Sequence, residues 1–362
     1  MILEGGWEWF YISSNIPVSE IYKYPDETWD RDGLSTNEGI SIDLIHNLVL
    51  PHTTGDWDWY YISESISISE VYKYPDETWN REGLSRNKDI AIDLIHNLVL
   101  PNATEEWIWY YISRYIAISE VYKYPDETWS RQGLSMNKNI YNIVLPYIDE
   151  DWDWYDISRN VSMSGVYKNR YEPWDKCGLS QNKNITIDVI RNLHLPRSMG
   201  DWNWGYISKN IAISEVYKYL DEIWDIFGLS QNKNISIDII HKLDRYKGNW
   251  HWYIISQNIS ISDVYKYPDE PWDKDGLSRN KGITIDIIHK MNDIYRIGRW
   301  DWYIIPANIP ISDVYRYSDE ILDRRVLSFN KGITIDDIYR LDHKMRYDYR
   351  RYTTSFSDIT II

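Results

Sequence analysis

The sequence predicts an all-α fold, an α-solenoid of seven repeats of about fifty residues each. Three features carry that prediction. A Trp-any-Trp pair recurs at regular intervals, each repeat divides into two related halves, and helix start and stop signals recur in both halves.

The pairs are Trp7/Trp9, Trp57/Trp59, Trp107/Trp109, Trp152/Trp154, Trp202/Trp204, Trp250/Trp252 and Trp300/Trp302, which set one array over residues 1–340. Within a repeat, "WHWYIISQNISISDVYKYPDEP" from Trp250 aligns with "WDKDGLSRNKGITIDIIHKM" from Trp272. Both read Trp, five residues, Ser-any-Asn, then Ile-[Ser/Thr]-Ile. The trailing halves open at Trp29, Trp79, Trp129, Trp174, Trp224 and Trp272, with Leu322 at the seventh such site, so all 20 Trp fall on repeat positions.

The elements follow in order. In the leading half, Ser260 and Asp263 have capping-box spacing, and that helix ends at Tyr267 because Pro268 follows. In the trailing half, "PDEPW" reads as a helix start capped by Asp269, and the helix runs to Ser278. "SRNKG" is a turn. A second helix starts near Thr284, with Asp286 in its positive first turn and Ile285, Ile288 and Met291 on one face. Leu50-Pro51 and Leu100-Pro101 end the longer helices. The period-two tracts "ISIS" and "ITID" leave a strand-plus-helix solenoid as the alternative, and seven Trp-Asp repeats leave a seven-bladed propeller as a weaker one. The third repeat lacks five residues relative to the second, which predicts a shortened helix near Ile140–Leu145. The segment 341–362, with Leu322 and Val326, reads as a degraded C-terminal cap.

These residues resemble a known group. "YPDEPWDKDGLSRNKGITIDIIHK" and "WDWYYIS" are similar to the tryptophan-rich tandem repeats of giant DNA viruses, the mimivirus-like group. The Trp, Leu-Ser-any-Asn and Ile-Thr steps match over nearly the whole chain. Ile285 stands where those repeats carry Trp, and Tyr-Pro replaces their Asn-Pro. The resemblance implies a helical repeat fold and a viral protein of the host cytoplasm or virion, and it implies no activity.

Composition narrows the partners. The 362 residues carry a net charge of −16, which disfavours nucleic acid and anionic membrane surfaces. Cys177 is the single cysteine, so a reducing compartment is expected. The start "MILEGGWEWF" shows no secretion signal, and no apolar run is long enough to span a bilayer.

The chemistry-bearing residues are sparse. His46, His96, His241 and His289 share one repeat position, three residues after Asp43, Asp93, Asp238 and Asp286. Arg191 and Tyr339 replace the His elsewhere, so local polar contacts are expected rather than metal or acid–base sites. The Ser-any-Asn ladder has no histidine beside it and reads as turn formation. No phosphate loop or nucleophile motif is present, and no cofactor is expected. The reading is a non-enzymatic repeat scaffold that mediates protein–protein interaction or self-assembly. The alternative is a glycan- or small-ligand-binding module with exposed Trp. The candidate partner-binding residues are the second Trp of each pair, Trp9, Trp59, Trp109, Trp154, Trp204, Trp252 and Trp302, beside the basic column of Arg31, Arg81 and Arg131.

Overall fold

The computed structural model describes residues 6–138, 152–243, 250–292, 298–316 and 324–342. Over these residues the fold is all-α, with repeated helix pairs packed on one another in a solenoid-like arrangement. The chain forms two compact units. A terminal unit holds residues 1–58, 281–293 and 300–362, and a central unit holds 59–280 and 294–299.

Each fully described half-repeat supplies two short helices. In the second repeat they are Trp59–Ser65 and Ile68–Lys73, then Arg81–Arg86 and Ile92–Asn97. The terminal unit repeats the order with Trp9–Asn15, Val18–Lys23, Arg31–Ser35 and Ile42–Asn47. Helices this short do not persist alone in water, so packing must hold them. Among the described residues no strand forms. Ser67 of "ISIS" is an N-cap position and Thr284 of "ITID" caps the helix Ile285–Asn292, with Thr284 Oγ1 accepting from Ile287 N at 3.3 Å. Isolated bridges such as Asn80 to Thr104 only pin the loop that ends a repeat beside its trailing Trp.

Three boundary expectations need correction. The trailing helix starts at Lys274, because the cap is Asp273 and not Asp269; Asp273 accepts from Gly276 N at 2.8 Å. "PDEP" is a turn that carries Trp272 inward, so that its indole Nε1 donates to Tyr267 O at 2.9 Å. The Ser260–Asp263 capping box does not form, since Ser260 Oγ is paired with Ser262 Oγ at 2.8 Å. The longer helices stop at Asn47 and Asn97, before Leu50-Pro51 and Leu100-Pro101; Leu50 and Leu100 turn into the core instead.

The two halves of a repeat touch through their first helices at unusually short range. A Cβ built on Gly83 would lie 2.3 Å from the Tyr60 carbonyl oxygen, and one on Gly276 would lie 2.3 Å from that of Tyr253. Such contact leaves no room for a side chain. Around it pack Ile62, Leu84, Ile92, Leu94 and Trp79, all fully buried. The seventh repeat breaks the rule. Val326 takes the glycine position and Pro306 the serine position, and the leading helix there shrinks to Ile305–Asn308. The shortened helix near Ile140–Leu145, Leu322, and the cap beyond residue 342 lie outside the described residues. Val326 and Leu341 are buried.

Candidate interaction surface

The Ser-any-Asn ladder builds the joint inside each repeat. Asn87 makes the turn, accepting from Asp89 N at 3.0 Å. Its amide also donates backward to Ser63 O at 3.0 Å and Ile66 O at 2.8 Å, the orphan carbonyls at the end of the leading helix. Asn37, Asn137, Asn182, Asn232, Asn280 and Asn330 make the same pair of bonds. Ser63 Oγ accepts from Asn80 N at 2.9 Å, and Ser85 Oγ accepts from Ile108 N of the next repeat at 2.9 Å. These buried hydroxyls and amides therefore hold backbone.

The Asp-any-any-His pairs build the joint between repeats. In the central unit Asp93 accepts from the Tyr124 hydroxyl at 2.6 Å and faces Lys123 Nζ at 3.5 Å, while His96 Nε2 lies 2.9 Å from Glu127. Asp238 and His241 repeat this with Tyr267 at 2.6 Å and Glu270 at 2.8 Å. Where Arg191 replaces His, it pairs with Glu222. The tyrosine hydrogen bond, followed by the lysine charge, holds Asp93 and Asp238 below the usual carboxylate range. Among the described residues, no three His, Cys, Asp or Glu side chains gather as a metal-holding group. Burial pushes the Cys177 thiol up.

None of the twenty tryptophans is exposed. The first Trp of a pair lies outside the helix and is buried or half-buried; the second opens the helix in six repeats, whereas Trp302 lies in a turn before Ile305–Asn308. Trp154 is buried, and Trp9, Trp59, Trp109, Trp204, Trp252 and Trp302 are half-buried. Trp59 meets the fully buried Trp79 edge to face at 5.4 Å, and Trp9, Trp109, Trp154, Trp204 and Trp252 meet their trailing-half partners the same way. Of the basic column, Arg81 donates to Ala103 O and Glu105 O, both at 3.2 Å, and Arg31 reaches Gly55 O. Arg131 is exposed. The structure thus ties most of these residues to the repeat that carries them.

A different aromatic residue faces solvent. In the central unit Tyr72, Tyr122, Tyr167, Tyr217 and Tyr265, one per repeat, are 36–55% exposed, and each is followed by an exposed lysine. Tyr22 of the terminal unit is 50% exposed. Tyr315 is half-buried and bonds Asp337; burial, then that carboxylate, pushes its hydroxyl pKa up. A Val/Ile-Tyr-Lys/Arg step marks this position in all seven repeats of the sequence.

Among the described residues no helix is long and apolar enough to cross a membrane. Compared with known protein families, characterised proteins and solved structures, the chain matches none.

Proposed function

We propose that the protein is a non-enzymatic scaffold whose repeats present one surface several times to a protein partner. The exposed Tyr-Lys step of the central unit carries this reading. Tyrosine offers large contact area at low entropic cost, and it is enriched where binding energy concentrates. Tyr122 is 55% exposed, and the equivalent tyrosine is exposed in each neighbouring repeat of the central unit. The half-buried Trp59, Trp109, Trp204 and Trp252 pack edge to face on the trailing-half tryptophans of their own repeats. The resemblance of the repeats to those of giant viruses supports a virion or a virus factory as the proposed setting.

The test replaces Tyr72, Tyr122 and Tyr167 together by Ser. These are surface positions, so the unfolding free energy should move by only about 0.5 kcal/mol per site. Capture of the partner from native lysate, quantified against the unchanged chain, should fall at least about tenfold, as for loss of ~1.4 kcal/mol at a hot spot. Undiminished capture would remove the tyrosine surface from the proposal. Binding to a glycan panel that the same changes abolish would favour the ligand-binding alternative.

A further inference from the structure

The first and last repeats meet inside the terminal unit, through the contacts that elsewhere join consecutive repeats. Glu8 N donates to Ser328 Oγ at 2.9 Å, as Asp58 N does to Ser35 Oγ at 2.9 Å. Lys23 and Tyr24 reach Asp336, as Lys123 and Tyr124 reach Asp93. Ile335 N donates to Glu20 Oε2 at 3.3 Å, as Ile187 N does to Glu215 at 3.1 Å. Tyr339 bonds Glu27 where His96 bonds Glu127. Phe329 lies against the Tyr11 ring at 3.8 Å where Arg86 covers Tyr111 at 3.7 Å.

Chain connectivity does not impose this match. Consecutive repeats are neighbours because the backbone joins them, whereas residues 8 and 328 are 320 positions apart. The two faces must therefore recognise each other by their own shape and charge. The joint also buries groups that need it. Asp342 is 4% exposed and takes a bond from Trp7 Nε1 at 3.2 Å across the joint, beside Arg324 at 3.0 Å. Glu27 is 4% exposed. Separation would strip one buried carboxylate of its indole donor and the other of its phenol, so open faces are driven to re-pair.

We propose that these faces are a complementary docking pair whose second occupant is another copy of this chain. A face that recognises its complement from the far end of one chain presents the same bonds to that complement on a second copy. Effective concentration favours the joint within one chain, and opening that joint hands the faces to other copies, head to tail.

Charge reversal on the full chain tests this. A head variant carries Lys23→Asp with Glu27→Arg, and a tail variant carries Asp336→Lys with Tyr339→Glu. The Arg191–Glu222 pair holds an arginine and a glutamate at the second site with the arginine at the Tyr339-equivalent position, and these changes exchange the two. In each variant alone like charges meet or partners are lost, and the unfolding midpoint should drop. Mixed in equal amounts, the variants place every reversed face opposite its match on the other copy. Light scattering should then show a mass of at least twice the 43.5 kDa chain. A chain with all four changes should be a monomer with its midpoint restored. If a one-sided variant does not fold alone, co-refolding with its complement should rescue both. The proposal is overturned if the mixture stays at single-chain mass or unfolded while the four-fold variant recovers. It is equally overturned if the one-sided variants keep the original midpoint.

Discussion

Replacing Asn87 by Ala is expected to destabilise the central unit by about 3 kcal/mol, since each stranded buried group costs about 1–3 kcal/mol. Asn87 is 2% exposed and satisfies three backbone groups at once, Ser63 O, Ile66 O and Asp89 N. Alanine leaves two buried carbonyls and one part-buried amide without their partner. Lys88, the next residue, is exposed, and Lys88→Ala should change stability by under about 0.5 kcal/mol. Urea unfolding of the full chain reads both. An Asn87→Ala variant as stable as Lys88→Ala would show that the plug contributes nothing.

The isosteric change Asn87→Asp sharpens the test, because its sign depends on pH. A carboxylate facing two carbonyl oxygens is disfavoured, so the folded-state pKa lies above the ordinary value of about 3.9. For a raised acid, the stability is present below the unfolded pKa and is lost as pH rises through the folded one. The protonated acid donates one of the two lost bonds. Relative to the unchanged chain at the same pH, Asn87→Asp should therefore be mildly destabilised near pH 3.5 and worse than Asn87→Ala at pH 7. The comparison must be made at matched pH, because Asp93 and Asp238 shift in the opposite direction. Their pKa values are lowered, so their contribution is present above the unfolded pKa and lost as pH falls through the folded one.

The same asparagine shows how far the sequence could be read. Its turn role is local, since Asn87 Oδ1 binds a backbone two residues away, and turn chemistry is legible from a few neighbours. Its larger role binds carbonyls 24 and 21 residues earlier, and no local pattern encodes that distance. The helix starts failed for a related reason. Asp269 and Asp273 are both good caps, and only the need to bring Trp272 Nε1 to Tyr267 O selects the second. The repeat period and the helical class were legible because twenty tryptophans marked them. The polar clasps were legible as contacts, since Arg191 and Tyr339 stand in for His, but the partner of Arg191 lies in the next repeat and that of Tyr339 lies 312 positions away in the first. The tryptophan column also met a tertiary fact. Arg at position 59, where the aligned trailing half carries Arg81, would strip Trp79 of its edge-to-face neighbour.

A single methyl group at position 83 should cost about 2 kcal/mol, opposite in sign to what helix propensity predicts. In an exposed helix, Gly→Ala stabilises by roughly 0.5–1 kcal/mol. Gly83 lies inside Arg81–Arg86, but its Cβ would sit 2.3 Å from the Tyr60 carbonyl oxygen and 2.9 Å from Ser63 Cβ. That oxygen is backbone and cannot rotate away, so the leading helix must shift or unwind, and overpacking of this kind costs about 1–3 kcal/mol. In the seventh repeat, where Val326 and Pro306 stand at the glycine and serine positions, the leading helix is only Ile305–Asn308. Gly83→Ala should therefore lower the urea midpoint and speed amide exchange over Trp59–Ser65, with the larger effect in the exchange. The converse change, Val326→Gly with Pro306→Ser, should slow exchange over residues 302–308. If Gly83→Ala raises stability, the two first helices do not approach as closely as the 2.3 Å contact requires, and the glycine column is only a turn signal.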